Sequence, residues 1–172
     1  IAGLQLAKWI FEYNDSKLKL LKHKKDGDFV KKGDTILEVS GNLLSILRSE
    51  RIVLNFMQRM SAIATKTSSF VKMINNKKTK LLDTRKTTPG NRIIEKWAVN
   101  IGGGVNHRFG LYDMILIKDN HIDFCGGVKN AINKCKNYID QKKLDIKLVI
   151  EARNLSEVKQ IINLGKINRI IL

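Results

Sequence analysis

Apolar and polar positions follow three rhythms along this chain. Over residues 26–47, DGDFVKKGDTILEVSGNLLSIL, they alternate and are broken by Gly27, Gly33 and Gly41, which predicts short strands joined by tight turns. Over residues 49–74, Val53, Met57, Met60, Ala64, Val71 and Ile74 recur at helical spacing with no Gly or Pro between them, predicting one long amphipathic helix or two abutting ones. After Asn75 and Asn76, strand and helix alternate. Leu81 and Leu82 open a short strand, residues 91–101 form a helix entered through Pro89 and Gly90, residues 114–117 a strand, and residues 127–139 a helix. A strand at 146–150 follows, then a helix capped by Asn154 and closed by Gly165, then the start of a strand at Arg169. Repeated βα units of this length imply a parallel sheet with crossover helices, open or closed into a barrel.

The stretch 26–41 also has the form DGxxVxxGxxIxxVxG, which resembles the hammerhead hairpin of biotinyl and lipoyl carrier domains. No lysine stands at a hairpin tip in the carrier setting, so the segment reads as scaffold. The Met57 and Met60 stripe reads as core packing. On the same helix Arg59 is expected to face solvent, whereas Arg51, beside Glu50 and just inside the expected helix start, is placed to project toward an anion.

Composition changes this picture little. A chain of 172 residues with 43% hydrophobic positions can bury a core. The net charge of +16 invites a nucleic-acid or acidic-membrane reading. Against it, 24 lysines outnumber 8 arginines, the lysines are scattered, and aromatic residues make up only 6%. Pairs such as Lys24-Lys25, Lys31-Lys32, Lys77-Lys78 and Lys142-Lys143 are expected to be solvated faces. No apolar run approaches the roughly 18 residues of a membrane span, and the opening residues, which lack a methionine, have none of the zones of a signal peptide. Cys125 and Cys135, ten apart and outside any CxxC pair, read as structural thiols in a reducing cytoplasm.

The chemistry concentrates in three blocks, LDTRKTTPG (82–90), GGGVNHRFG (102–110) and MILIKDNHI (114–122). They gather Arg85, Lys86, His107, Arg108, Lys118 and His121 around short apolar runs, the composition of a pocket for a compact, multiply negative small molecule. Thr84, Arg85 and Lys86 follow the first predicted strand, Lys118 to His121 the second, and Glu151 the third. All are carboxyl ends of strands, where α/β folds collect catalytic residues. The glycine triplet lacks the GxGxxG spacing of a dinucleotide fingerprint and is expected to relieve backbone crowding so that His107 and Arg108 turn inward.

These blocks, with Glu50, Arg51, Leu54, Asn55, Phe56, Gln58 and Arg59 before them and the strand carrying Glu151 after them, resemble the quinolinate phosphoribosyltransferase family, and the match runs along nearly the whole chain. The resemblance implies an α/β fold. A partial (β/α) barrel of the type II phosphoribosyltransferase kind (76–172) would be preceded by part of a hammerhead-like α/β sandwich domain (1–75). It implies conversion of quinolinate and phosphoribosyl pyrophosphate to nicotinate mononucleotide, pyrophosphate and carbon dioxide, with magnesium (Mg2+). Arg85, His107, Arg108 and Lys118 would line the quinolinate pocket and Thr84 would contribute to it. Lys86 would lie between quinolinate and the phosphoribosyl group. Glu151 would stabilise the charge developing on the ribose and help place the metal. Arg51 would reach the neighbouring subunit's site, implying a homodimer or higher; nucleic acid and membrane are not expected partners. Ala62 replaces a glycine frequent in the family, and the chain is expected to be a fragment holding most of the quinolinate half of the site. A phosphoribosyltransferase acting on nicotinate or another acidic ring is the nearest alternative, and a basic nucleic-acid-binding module a more distant one.

Overall fold

The computed structural model describes residues 1–75, 78–165 and 167–172. They cluster into two compact units, Ile1–His107 and Arg108–Leu172. The sequence-predicted boundary at 75/76 falls inside the first unit; Asn76 and Lys77 lie outside the described residues.

The first unit opens with a helix, α1 (Leu4–Asn14), additional to the elements the sequence pattern predicts. Its stripe of Leu4, Ala7 and Phe11 is buried. The Asp26 carboxylate accepts the Leu4 and Gln5 N–H groups at 2.8 and 3.3 Å, satisfying donors that a helix start leaves free. Strands β1 (Lys19–Lys22) and β2 (Leu37–Ser40) pair antiparallel, Lys19 opposite Ser40 and Lys22 opposite Leu37. Only β2 of the strands expected over 26–47 forms. The alternation there is interrupted by two aspartate-braced turns, in which Asp28 accepts the Lys25 N–H and Asp34 the Lys31 N–H.

The long helix α2 (Leu43–Ile74) begins six residues before the expected Ser49. Asn42 explains the earlier start, since its side-chain oxygen accepts the Ser45 N–H at 3.1 Å and caps the helix. Val53, Met57, Met60, Ala64 and Thr67 form its buried stripe, at spacings of four, three, four and three. Helix α1 packs on α2, and α2 packs on α3 (Arg92–Ile101). Met60 and Ala64 close a small core with Ala98. The strand expected at Leu81 reduces to a single parallel bridge between Leu82 and Val105.

The second unit is a three-stranded parallel sheet in the order β3 (Met114–Ile117), β4 (Lys147–Glu151), β5 (Arg169–Ile171). Helices α4 (Asp119–Phe124) and α5 (Val128–Lys142) connect the first pair, and α6 (Leu155–Leu164) the second. Leu116 and Ile117, Leu148 to Ile150, Ile132 and Ile161 form the core that parallel strands bury on both faces. Asn154 caps α6 by accepting the Glu157 N–H at 3.0 Å, and Gly165 ends it, both as expected. Lys136 of α5 donates to the terminal carbonyls of Leu164 and Gly165 at 3.2 and 3.0 Å. Cys125 and Cys135 are free, half-buried thiols beside Ile115, Ile117 and Tyr138. Burial, with Cys125 adding to it, pushes the Cys135 thiol above its usual value.

Candidate active site

In the first unit, the site segments 82–88 and 105–107 are held by side chains. Val105 N–H donates to Leu81 O at 2.8 Å and Asp83 N–H to Val105 O at 3.2 Å. There the ladder stops. The next donor, His107 N–H, is taken by the Asp83 carboxylate at 2.8 Å, which explains why a predicted strand survives only as a bridge. The same oxygen pairs with Lys96 Nζ, and the two side chains are only 5% and 4% exposed. On its inner side the Asn106 amide faces only acceptors, which assigns its nitrogen inward; so turned, it donates to the other Asp83 oxygen and to Lys96 O, each at 2.9 Å. One buried carboxylate therefore joins helix α3 to both segments. Asp83 and Lys96 are not among the residues the sequence singled out.

A second brace lies beside it. Arg59, expected to face solvent, is half-exposed but donates to Glu95 from Nε at 3.1 Å and from Nη2 at 2.7 Å, and Nη2 also reaches Thr88 Oγ1 at 2.7 Å. Thr88 N–H donates to the other Glu95 oxygen at 3.3 Å. Burial opposes the Glu95 charge, but the Arg59 and Thr88 hydrogen bonds outweigh it and hold the carboxyl below its usual range. Helix α2 is thereby tied to α3 and to the TTPG turn.

The glycine triplet works differently from the expectation. A Cβ on Gly102 would stand 2.5 Å from Ala64 O, and one on Gly104 2.7 Å from Val99 Cγ1 and 3.0 Å from Thr67 Cγ2. The crowding they relieve is the approach of this loop to α2 and to the end of α3. Arg85 is half-buried, and its Nε is a buried donor with no hydrogen-bond partner among the described residues. A donor in that state suits an arriving anion. Thr84 and Lys86 are exposed, the Thr84 hydroxyl accepting the Lys86 N–H at 3.1 Å. Arg51 is exposed on α2, in the third turn rather than at the helix start.

In the second unit the site residues stand on regular strand ends. Ile117 pairs with Ile150, so the following Lys118 and Glu151 are neighbours across the carboxyl edge of the sheet. Lys118 Nζ lies 3.9 Å from Glu151 Oε1, and both side chains are about 40% exposed, at 43% and 38%. His121, counted among the cations in the sequence, caps α4: its Nδ1 accepts the Lys118 N–H at 2.9 Å, a role that requires that nitrogen to be unprotonated. Arg108, half-buried, begins this unit, and the backbone after it is fixed by Asp113, whose carboxylate accepts the Phe109 and Gly110 N–H groups at 2.7 and 2.8 Å. Beyond Glu151, Arg153 spans Asp123 and Glu157. Hydrogen bonds to Glu157 and then Asp123 raise the Arg153 guanidinium above its ordinary value, and Arg153 holds Glu157 below its own.

The structure thus brings Thr84, Arg85 and Lys86 together with His107 in one unit, and Lys118 with Glu151 in the other. Among the described residues no group of three or more His, Cys, Asp or Glu side chains is placed to hold a metal. No helix among the described residues is long and apolar enough to cross a membrane.

Comparison with known proteins agrees along the chain. Residues 1–61 match the model of the quinolinate phosphoribosyl transferase N-terminal domain and residues 63–172 that of the C-terminal domain. The chain is 49% identical over 162 residues to a chloroplastic nicotinate-nucleotide pyrophosphorylase (carboxylating) of Arabidopsis thaliana, covering 94% of this chain and 46% of that protein. It is 49% identical over 135 residues to a probable nicotinate-nucleotide pyrophosphorylase of Bacillus subtilis, covering 78% and 47%. The chain therefore spans about half the length of the curated relatives it matches. The crystal structure of NadC from Streptococcus pyogenes superposes with a TM-score of 0.91 at 38% identity, over 99% of this chain and 59% of that one. A nicotinate-nucleotide pyrophosphorylase from Francisella tularensis gives 0.83 at 42% identity, over 92% and 55%. With both domain models, the relatives and the solved structures in agreement, the chain belongs to the quinolinate phosphoribosyltransferase family.

Proposed function

We propose that the protein carrying this chain transfers a phosphoribosyl group from phosphoribosyl pyrophosphate to quinolinate and releases pyrophosphate, carbon dioxide and nicotinate mononucleotide, a step of NAD biosynthesis. The observation that carries this reading is Arg85, on the segment bridged to that of His107, whose buried Nε has no hydrogen-bond partner among the described residues. Quinolinate presents two adjacent carboxylates on a pyridine ring, and charge-assisted hydrogen bonds from Arg85, His107, Arg108 and Lys118 would supply both affinity and orientation. Thr84 would contribute to the quinolinate pocket, and Lys86 would lie between quinolinate and the phosphoribosyl group. As pyrophosphate departs, positive charge develops on the ribose carbon, which the Glu151 carboxylate would stabilise. Once ribosylated, the cationic ring nitrogen stabilises the electron pair left on the ring carbon as its bond to carbon dioxide breaks, and that carbon then takes a proton from solvent to give the C–H of the product; until then the surrounding side chains would hold the departing carboxylate away from water.

Magnesium fits this arrangement in a limited way. Glu151 is well exposed, and its neighbour Lys118 is 3.9 Å away, so the carboxylate keeps lone pairs for a hydrated divalent ion. Magnesium commonly takes one or two carboxylates and completes its shell with water and substrate phosphate, so Glu151 could serve as such a carboxylate although the described residues form no cluster of three or more ligands. Bound there, the ion would neutralise charge on the leaving pyrophosphate.

A homodimer, with Arg51 entering the neighbouring site, belongs to the same reading. It is supported by the exposure of Arg51 and of Leu43, Leu44 and Leu47 on the same helix. A cytoplasmic location is likewise proposed, supported by the free thiols.

The test is nicotinate mononucleotide formation by the full-length protein from quinolinate and phosphoribosyl pyrophosphate. Use of nicotinate in place of quinolinate would overturn the reading. Arg85→Ala is expected to weaken quinolinate binding by about 1.5–3 kcal/mol, the scale of hydrogen bonds to charged groups, as measured by titration calorimetry.

A further inference from the structure

The Asp83–Lys96 pair touches no proposed substrate, yet every polar contact it makes leads to a segment that would. Asp83 lies two residues before Arg85. Its carboxylate accepts the backbone N–H of His107, pairs with Lys96, and receives the Asn106 amide, whose second hydrogen goes to Lys96 O. Both charged side chains are almost wholly buried. A buried ion pair contributes little net stability compared with apolar residues of the same size, so its presence here calls for a role other than cohesion. Two such roles are visible. Three donors converging on one carboxylate fix the backbone of 105–107 relative to that of 83–85, where a continued strand ladder would otherwise have set the spacing. Lys96 also cancels a negative charge that lies two residues from Arg85 and on the His107 backbone, close to cations meant for an anion.

We infer that Asp83 and Lys96 are positioning residues for the acidic ring, setting the spacing between Arg85 and His107. The inference rests on the proposed function, and it concerns the quinolinate side of the site rather than the phosphoribosyl side.

The test compares two doubly neutral variants of the full-length protein, so that neither leaves a buried charge unpaired. In Asp83→Asn/Lys96→Met an oxygen remains to accept the His107 N–H; in Asp83→Ala/Lys96→Met none does. The KM for quinolinate is expected to be about fivefold higher in the alanine variant than in the asparagine variant, the size of one lost hydrogen bond, while the KM for phosphoribosyl pyrophosphate agrees within about twofold. Equal quinolinate KM values, or values for both substrates rising together, would overturn the inference, since a purely structural defect lowers kcat through the active fraction or disturbs both substrates alike, and raises neither KM selectively. If the double variants fail to fold, Lys96→Arg takes their place. It keeps the charge on a differently shaped donor, and the same selective rise in quinolinate KM is expected, an unselective or absent rise being contrary. Wild-type protein that makes no nicotinate mononucleotide would instead overturn the proposed function, and so the two failures are told apart.

Discussion

Arg85 and His107 stand on irregular backbone whose hydrogen bonds end on buried side chains, whereas Lys118 and Glu151 stand at the ends of regular strands whose spacing comes from backbone pairing. The first arrangement depends on charge, because Asp83, Lys96 and Glu95 are all buried and each needs its partner. The second depends on register, because the Ile117–Ile150 pair sets Lys118 beside Glu151 whatever those two side chains are. A site residue can thus be fixed by interactions that fail singly or by a ladder that is insensitive to single substitutions. The difference predicts where mutation breaks the fold and where it breaks only the chemistry.

The largest effect is expected at the buried pair. Lys96→Ala leaves the Asp83 carboxylate charged and enclosed, a change that typically costs about 3–5 kcal/mol. Urea unfolding of the variant and wild type in parallel should show that loss. A cost below about 1 kcal/mol would mean that water reaches Asp83, and the contrast between the two units would fall.

The same contrast decides what could be read from the sequence. Strands β3, β4 and β5 and helix α6 lie within a residue or two of their expected positions, because continuous apolar runs such as MILI and LVI and local caps such as Asn154 and Gly165 are short-range signals. In the first unit the decisive interactions join residues far apart in the chain. Asp83 to Lys96 spans 13 positions, Asp83 to His107 spans 24 and Arg59 to Glu95 spans 36. No periodicity marks Glu95 or Lys96 as buried, since charged residues on a helix ordinarily face water. The cationic blocks are readable as a candidate site because they repeat one chemistry at successive predicted strand ends. The carboxylates that hold them in place are not, since a lone Asp after two leucines has many ordinary uses.

A smaller effect is expected at the second brace, where its sign with pH is also defined. Glu95→Gln loses the charge that Arg59 and Thr88 hydrogen-bond, at a cost of about 1.5–3 kcal/mol near neutrality. Because the fold lowers the Glu95 carboxyl below its usual 4.5, the charge contributes fully above that value and its contribution is lost as pH falls through the lower, folded value. The stability difference between wild type and Glu95→Gln should therefore stay constant from pH 7 to about 5 and shrink as the solution is acidified further. A difference that already shrinks near pH 6 would mean that Glu95 is not stabilised as an anion, and that the TTPG turn is held by something else.

The smallest effect on stability, and the sharpest form of the comparison, is expected at Glu151. Its pairing with Lys118 is long at 3.9 Å and open to solvent, and exposed pairs of this kind contribute about 0–1 kcal/mol. Glu151 is held in place by the β3–β4 register and by the Ile150–Ile170 pair on its other side, neither of which uses its carboxylate. Glu151→Gln should accordingly leave the unfolding transition within about 1 kcal/mol of wild type. On the proposed reading it should also reduce kcat by about a hundredfold or more, the scale of removing one preorganised electrostatic contact from a transition state. Melting curves and turnover measured on one preparation give both numbers. Loss of stability comparable to that of Lys96→Ala would show that the strand end, too, depends on its charges, whereas unchanged stability with unchanged turnover would remove Glu151 from the chemistry and leave register as the only thing this strand end supplies.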